Sequence, residues 1–264
     1  MKTYSYIITA IILYFALPLA AKAEQGTKPK VGIEEKLNSY VPMDLAFTDS
    51  DGKQRLLKDI IKIPTVLSLV YYRCPGICSP LLGSMGETMS KLNLKPGKDF
   101  QGLTISFNHK EDYVLAAGKK KNYLENLKKP LPADSWIWMA GDSISIRKLS
   151  DAVGFYFMKD SSGEFIHTGA LIILAPDGKI TRYLNGTEFL PADLELALKE
   201  AAKGEARPTI SKLIAWCFSY DPEGKKYVFD INKVAGAVIF LAIGTFFVVL
   251  LIKGRKKSKE KPTV

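Results

Sequence analysis

Residues 65–72, TVLSLVYY, run directly into Arg73-Cys74-Pro75-Gly76-Ile77-Cys78. The first eight residues are rich in β-branched and aromatic side chains and carry no charge, which predicts a buried strand. Beyond the cysteines, Leu81, Leu82, Met85, Met89 and Leu92 recur at helical spacing across residues 80–93. The unit therefore reads as strand, cysteine turn, helix. Cys74 and Cys78 are placed at the helix start, where positions four apart share a face. Their Cα atoms would lie about 6 Å apart, within the range that a disulfide bridges and close enough for both sulfurs to grip one ion. Pro75 suits the first helical position, where a missing N–H is harmless. The positive end of the helix and the neighbouring Arg73 predict a lowered thiol pKa, and thiolate is the form that ligates metal or attacks a disulfide. The bland alternative, two buried cysteines acting as small apolar side chains, stays open on these residues alone.

Working outward, residues 44–48 are extended and Asp49-Ser50-Asp51-Gly52 is a turn. Residues 102–107 form a second strand, and residues 112–128 a helix with Lys119, Lys120 and Lys121 on its outer face. A short strand at 136–140 precedes a helix at 143–153. Strands at 170–174 and 179–184 are joined by Ala175-Pro176-Asp177-Gly178, a hairpin turn, and residues 191–202 make a closing helix. Strands alternating with helices predict an α/β sheet with helices on its faces, spanning residues 41–202. No internal repeat or low-complexity tract interrupts it.

The two ends carry topology. Residues 1–23 read as a secretory signal: Lys2, an apolar run over 7–19, and an Ala21-Lys22-Ala23 cleavage site. Residues 24–40 are polar, with Gly26, Pro29 and Gly32, and read as a tether. Residues 203–233 link the domain onward. Within them 216–220 and 225–231 flank Asp221-Pro222-Glu223-Gly224 as a further hairpin, whose aromatic residues suit a bilayer interface or the domain surface equally. Residues 234–252 are uncharged and apolar, long enough to span a bilayer, and residues 253–264 form a basic tail that stays cytoplasmic. The expectation is a body outside the cytoplasm, in a periplasm-like space, anchored by a C-terminal transmembrane helix. Most of the formal charge of +10 belongs to residues 1–23 and 253–264. Eight of the 37 basic residues lie in them against one of the 27 acidic ones, Glu260, so the middle is nearly neutral and offers no footprint for nucleic acid.

Two histidines exist, His109 and His167. His167 lies just before a strand, where it could add an imidazole to the two sulfurs; a single histidine read without the fold is more often structural. Two thiolates and one imidazole suit copper, since soft sulfur selects Cu(I) and imidazole tolerates Cu(II), whereas structural zinc wants a fourth ligand. His109 reads as a solvated loop residue. Cys217 has no evident partner and reads as a buried small side chain or a source of mixed disulfides. Asn185-Gly186-Thr187 fits a glycosylation sequon, meaningful only in a secretory pathway. Paired cysteines are not the form of a thiol peroxidase. No G-x-G-x-x-G, phosphate loop, H-E-x-x-H or nucleophile elbow occurs.

The chain resembles the Sco/SenC/PrrC family of thioredoxin-like copper chaperones for cytochrome c oxidase. Four blocks in order over about residues 40–200 carry the resemblance. They are the strand with Cys74-Pro75-x-x-Cys78, Thr104-Ile-Ser-Phe followed by Asp112, Trp136-Ile-Trp-Met-Ala-Gly-Asp with Leu149-x-x-Ala-Val-Gly-Phe-x-Tyr, and His167-Thr-x-x-Leu-Ile-Ile-Leu-x-Pro-Asp-Gly-Lys. The resemblance implies a thioredoxin-like fold, a central mixed sheet flanked by helices. It also implies Cys74, Cys78 and His167 as ligands of one copper ion, Cu(I) or Cu(II), per chain. Its function would be delivery of copper to the copper-bearing subunit of a respiratory oxidase. The alternatives are a thiol-disulfide reductase working through Cys74 and Cys78, which keeps the oxidase cysteines reduced, and a redox or copper sensor. Whether the pair is catalytic stays open. The chain departs from the family pattern at Gly76, where an acidic residue is common, at Ser79, where proline is common, and at Asn108-His109, where Asp-Pro is common. Its anchor is read at the C-terminus rather than the N-terminus. These departures place it in a divergent subgroup.

Overall fold

The computed structural model describes residues 31–208, the hairpin residues 218–221 and 226–229, and residues 235–236, 239–240 and 242–246. In chain order the strands are β1 (Gly32–Ile33), β2 (Ala46–Asp49), β3 (Gln54–Leu56), β4 (Thr65–Val70), β5 (Gln101–Ser106), β6 (Trp136–Ala140), β7 (Phe155–Tyr156), β8 (Met158–Lys159), β9 (Phe165–Ile166), β10 (Ala170–Leu174), β11 (Ile180–Asn185), β12 (Phe218–Asp221) and β13 (Lys226–Phe229). The helices are α1 (Leu57–Ile60), α2 (Cys78–Lys91), α3 (Tyr113–Glu125), α4 (Ser143–Ala152) and α5 (Pro191–Ala202), with a 3-10 turn at Ala133–Ser135.

Seven strands form one mixed sheet in the order β11-β10-β4-β5-β6-β2-β3. The centre is parallel: β5 pairs with β4 and with β6 in the same direction, while β10 and β2 run antiparallel at either side. Every residue of β4, β5 and β10 is buried. Both faces are covered, which is why β10, Ala-Leu-Ile-Ile-Leu, reads as a continuous apolar run; the polar residues of β4 and β5 are buried too, Ser68 and Thr104 sharing a hydrogen bond. Helix α2 packs against α3 and α5, and α3 lies on β6. Asp112 caps α3 by accepting from the Leu115 amide, and Asp142 caps α4 by accepting from Ile144 and Ser145. Pro191 opens α5 at the position where its missing N–H is tolerated.

The core is built around fully buried Trp136 and Trp138. The Trp136 indole donates to Thr104 Oγ1 at 2.9 Å, and Thr104 shares a 2.8 Å hydrogen bond with Ser68 on the adjacent strand. The indole lies so close to β5 that a side chain at Gly102 would start 2.8 Å from it.

The segment read as a tether is held to the domain from residue 32 onward. β1 pairs with β7, the Lys36 amide donates to the Tyr183 hydroxyl, and the Asn38 and Val41 amides donate to Ile180 and Gly178. Backbone pairing draws it in, a pattern too short to register as periodicity. Just past α5, Arg207 bonds Glu200 at 3.2 Å, Glu200 also meets Arg182 at 3.3 Å, and the Arg207 amide donates to the Thr181 carbonyl.

The hairpin read near residue 220 is present as β12 paired with β13. Within 234–252, the described residues 235–236, 239–240 and 242–246 are helical, and Ile239, Phe240, Ile243 and Phe246 are exposed. Among the described residues no helix is long and apolar enough to cross a membrane. The signal segment, Cys217 and the basic tail lie outside the described residues.

Candidate metal centre

β4 ends at Val70 and delivers Tyr71 and Tyr72 to the edge of the core before the chain turns at the cysteines. The turn is not the first turn of a helix. The Cys74 amide bonds the Tyr71 carbonyl at 3.1 Å, Pro75 and Gly76 are exposed, and α2 begins at Cys78 with Ile77 as its N-terminal flank. The expectation of two cysteines on one helical face, with Pro75 opening the helix, is thus corrected. Cys78 sits on the helix and Cys74 on the loop before it, because the Cys-Pro-Gly stretch follows turn chemistry rather than helix propensity.

His167 reaches the same point from the other side. It follows β9, the second strand of a small hairpin with β8, and precedes β10. β10 runs antiparallel to β4, so its beginning lies beside the end of β4. The Sγ atoms of Cys74 and Cys78 and a ring nitrogen of His167 lie within 4.8 Å of one another. Cys78 Sγ is 3.6 Å from His167 Nε2. Cys78 is buried, and Cys74 and His167 are half-buried. Among the described residues this is the one such cluster of histidine, cysteine and carboxylate donors.

The ring of His167 is oriented for ligation. Nδ1 lies 3.0 Å from the Thr168 carbonyl, which can only accept, so Nδ1 carries the proton and Nε2 turns its lone pair toward Cys78. The ring is packed edge-on against Tyr71 and Phe107, with centroids 5.7 and 5.1 Å away. Tyr71 donates from its hydroxyl to Glu164 Oε2 at 2.6 Å, tying the β8–β9 hairpin to the cysteine side. Burial and that hydrogen bond push the Tyr71 hydroxyl far above the usual tyrosine range, so it stays protonated.

The donor set fits a soft ion: two sulfurs and one imidazole, in an apolar, aromatic wall that limits solvent access. The thiol electrostatics differ from expectation. Burial pushes the Cys78 thiol well above the ordinary thiol range; a hydrogen bond from the Tyr71 backbone opposes this, and Cys74 and Glu111 add to it. A helix N-terminus favours an anion by about 0.3–1 kcal/mol, while burying a charge costs several kcal/mol; burial wins at Cys78. An ion that binds here must displace that proton.

One organising residue has no signature in the sequence. Glu111, itself buried, accepts from the Tyr72 amide at 2.6 Å, the Arg73 amide at 2.9 Å and the Ser106 hydroxyl at 2.6 Å. His109 is exposed in the preceding turn, as read, and lies outside the donor cluster.

The SCO1/SenC family profile matches residues 34–203. The SCO1 protein homolog of Bacillus subtilis (strain 168) is 26% identical over 164 residues, covering 61% of this chain and 81% of the relative. A solved structure from Aquifex aeolicus VF5 is 30% identical with a TM-score of 0.58, covering 64% of this chain and 95% of that one. Two more distant structures share the fold. Arabidopsis thaliana ScoI with copper bound is 18% identical, with a TM-score of 0.51, over 60% of this chain and 96% of its own. BsSco, a Sco-family cytochrome c oxidase assembly protein in which a disulfide switch was identified, is 24% identical, with a TM-score of 0.51, over 65% of this chain and 98% of its own. The mixed sheet flanked by helices is thioredoxin-like, as the resemblance implied.

Proposed function

We propose that this chain, which belongs to the SCO1/SenC family, binds one copper ion as cargo through Cys74, Cys78 and His167 and delivers it to the copper-bearing subunit of a respiratory oxidase. The observation that carries the reading is the meeting of two sulfurs and an imidazole nitrogen within 4.8 Å. Sulfur selects Cu(I), and the imidazole supports Cu(II). The chain's own part is to hold Nε2 unprotonated through the Nδ1 bond to Thr168, to release the Cys78 proton when the ion enters, and to keep the aromatic wall around the ring. Half-buried Cys74 is the sulfur from which an incoming thiolate of the partner would take the ion by ligand exchange.

The place of action belongs to the same proposal. The signal-like residues 1–23, the apolar residues 234–252 and the basic tail support a body on the periplasmic side, anchored through the C-terminus.

A second reading is favoured by the same two free thiols: Cys74 and Cys78 lie close enough to exchange between dithiol and disulfide. In that reading the pair keeps another protein's copper-binding cysteines reduced. Metal analysis of the reduced protein after Cu(I) loading separates the two. The chaperone reading expects about one copper per chain, with affinity falling at least a hundredfold in His167→Ala. Copper uptake unaffected by His167→Ala, together with thiol exchange abolished in Cys74→Ala, would leave the reductase reading in its place.

A further inference from the structure

We propose that Glu111 is the positioning residue of the centre. Its carboxylate holds the backbone of Tyr72 and Arg73, and through them Cys74, in the conformation that turns both sulfurs toward His167.

The main chain needs such a partner at this point. β4 is paired on both sides up to Ser68 and with β5 alone as far as Val70, where the Phe107 amide still donates to the Val70 carbonyl. Beyond it the chain leaves the sheet, and the amides of Tyr72 and Arg73 face no strand. Glu111 takes the place of the missing strand. Its Oε2 accepts from Tyr72 and from the Ser106 hydroxyl, and its Oε1 accepts from Arg73. A carboxylate this deeply buried is tolerated because donors surround it. Glu111 is in turn fixed from behind. Its own amide bonds the Asn108 carbonyl, and Ser106 Oγ also accepts from the Asn108 amide. The end of β5, the turn after it and the cysteine loop form one hydrogen-bonded unit. The loop's next bond, from the Cys74 amide to Tyr71, and the Gly76 amide's approach to Cys74 Sγ at 3.4 Å both build on it.

Glutamine tests the chemistry without emptying the space. The amide of Glu111→Gln has one accepting oxygen, so in either orientation its NH2 group faces a backbone N–H and one loop bond becomes a repulsion. Ser106→Ala is the comparison, because it removes one donor to the carboxylate and the bonds between Ser106 Oγ and Asn108 while leaving both bonds from Glu111 to the loop in place. Two readouts are used on variants that circular dichroism shows to be folded. One is the equilibrium with glutathione, in which the dithiol and one oxidised glutathione give the Cys74–Cys78 disulfide and two reduced glutathiones. The other is Cu(I) affinity in competition with a chromophoric chelator; this second readout alone rests on the copper reading.

Glu111→Gln is expected to shift the thiol equilibrium constant about tenfold and to weaken Cu(I) binding about tenfold. Ser106→Ala is expected to stay within about twofold of the parent in both. A folded Glu111→Gln within twofold of the parent in both readouts overturns the proposal, as does a Ser106→Ala that matches it. If Glu111→Gln fails to fold, Glu111→Asp, one methylene shorter with its charge kept, is judged by the same thresholds. A parent protein that takes up no copper while its Glu111→Gln variant shifts the thiol equilibrium sinks the copper reading and leaves Glu111 in its role.

Discussion

Cys78 and His167 are 89 residues apart in the chain, yet Sγ and Nε2 stand 3.6 Å from each other. The antiparallel pairing of β10 with β4 creates that proximity, because it brings the start of one strand to the end of the other. The centre is therefore as firm as the β8–β9 hairpin that precedes His167, and the Tyr71–Glu164 hydrogen bond ties that hairpin down.

Tyr71→Phe keeps the ring against His167 and removes that tie. The folded protein should lose about 0.5–1.5 kcal/mol. Amide hydrogen exchange over residues 158–166 should quicken while β4 and β5 remain protected. Unchanged exchange in the hairpin would show that Tyr71 does not restrain it.

The raised Cys78 thiol sets a pH dependence. Folding tightens its hold on the proton relative to the ordinary value of 9.0. The resulting stability is fully present below pH 9 and is lost as pH climbs toward the folded value, because the unfolded chain ionises first. Denaturant midpoints of the reduced protein should thus fall above about pH 9. Cys78→Ser should flatten that limb. In the same protein near neutral pH, alkylation followed by peptide mass spectrometry should label half-buried Cys74 well before Cys78.

Gly102→Ala tests the packing of the tryptophan core. The new Cβ would sit 2.8 Å from Trp136 Cδ1 and 3.1 Å from Met89 Sδ. Met89 can bend away, but the indole is pinned by Thr104. A loss of about 1–3 kcal/mol in urea titration is expected. Copper stoichiometry should be unchanged, since none of these side chains is a donor in the Cys74, Cys78 and His167 cluster.

Arg182→Ala should be costlier than a surface change. The Arg182 and Glu200 side chains are 16% and 10% exposed, so truncation leaves a buried carboxylate with only Arg207. A loss of about 3 kcal/mol, read as a fall in melting temperature of roughly 6–12 °C, is expected.

Much of this was legible in the chain itself. The strands at 136–140 and 170–174 and the helix at 191–202 lie where composition and periodicity put them, because each is long enough for burial to leave a pattern. β1, β3, β7, β8, β9 and α1, two to four residues each, leave none. Cys74, Cys78 and His167 were nameable because each belongs to a residue type with few copies. Glu111 was not, being one carboxylate among many and distinguished only by three donors that converge after folding. The Cys78 thiol departs from the sequence expectation for a related reason: a helix start is visible in sequence, and depth of burial is not.

The Arg182–Glu200–Arg207 link has a directional consequence. Arg207 bonds Thr181, beside the Leu174–Ile180 end of the β10–β11 pair, whereas His167 precedes the Ala170–Asn185 end. Arg207 and the donor atoms thus lie toward opposite ends of the β10–β11 pair, separated along β10 by about 13 Å. A load applied to the chain at Arg207 would therefore enter the sheet at the end remote from the sulfurs of Cys74 and Cys78.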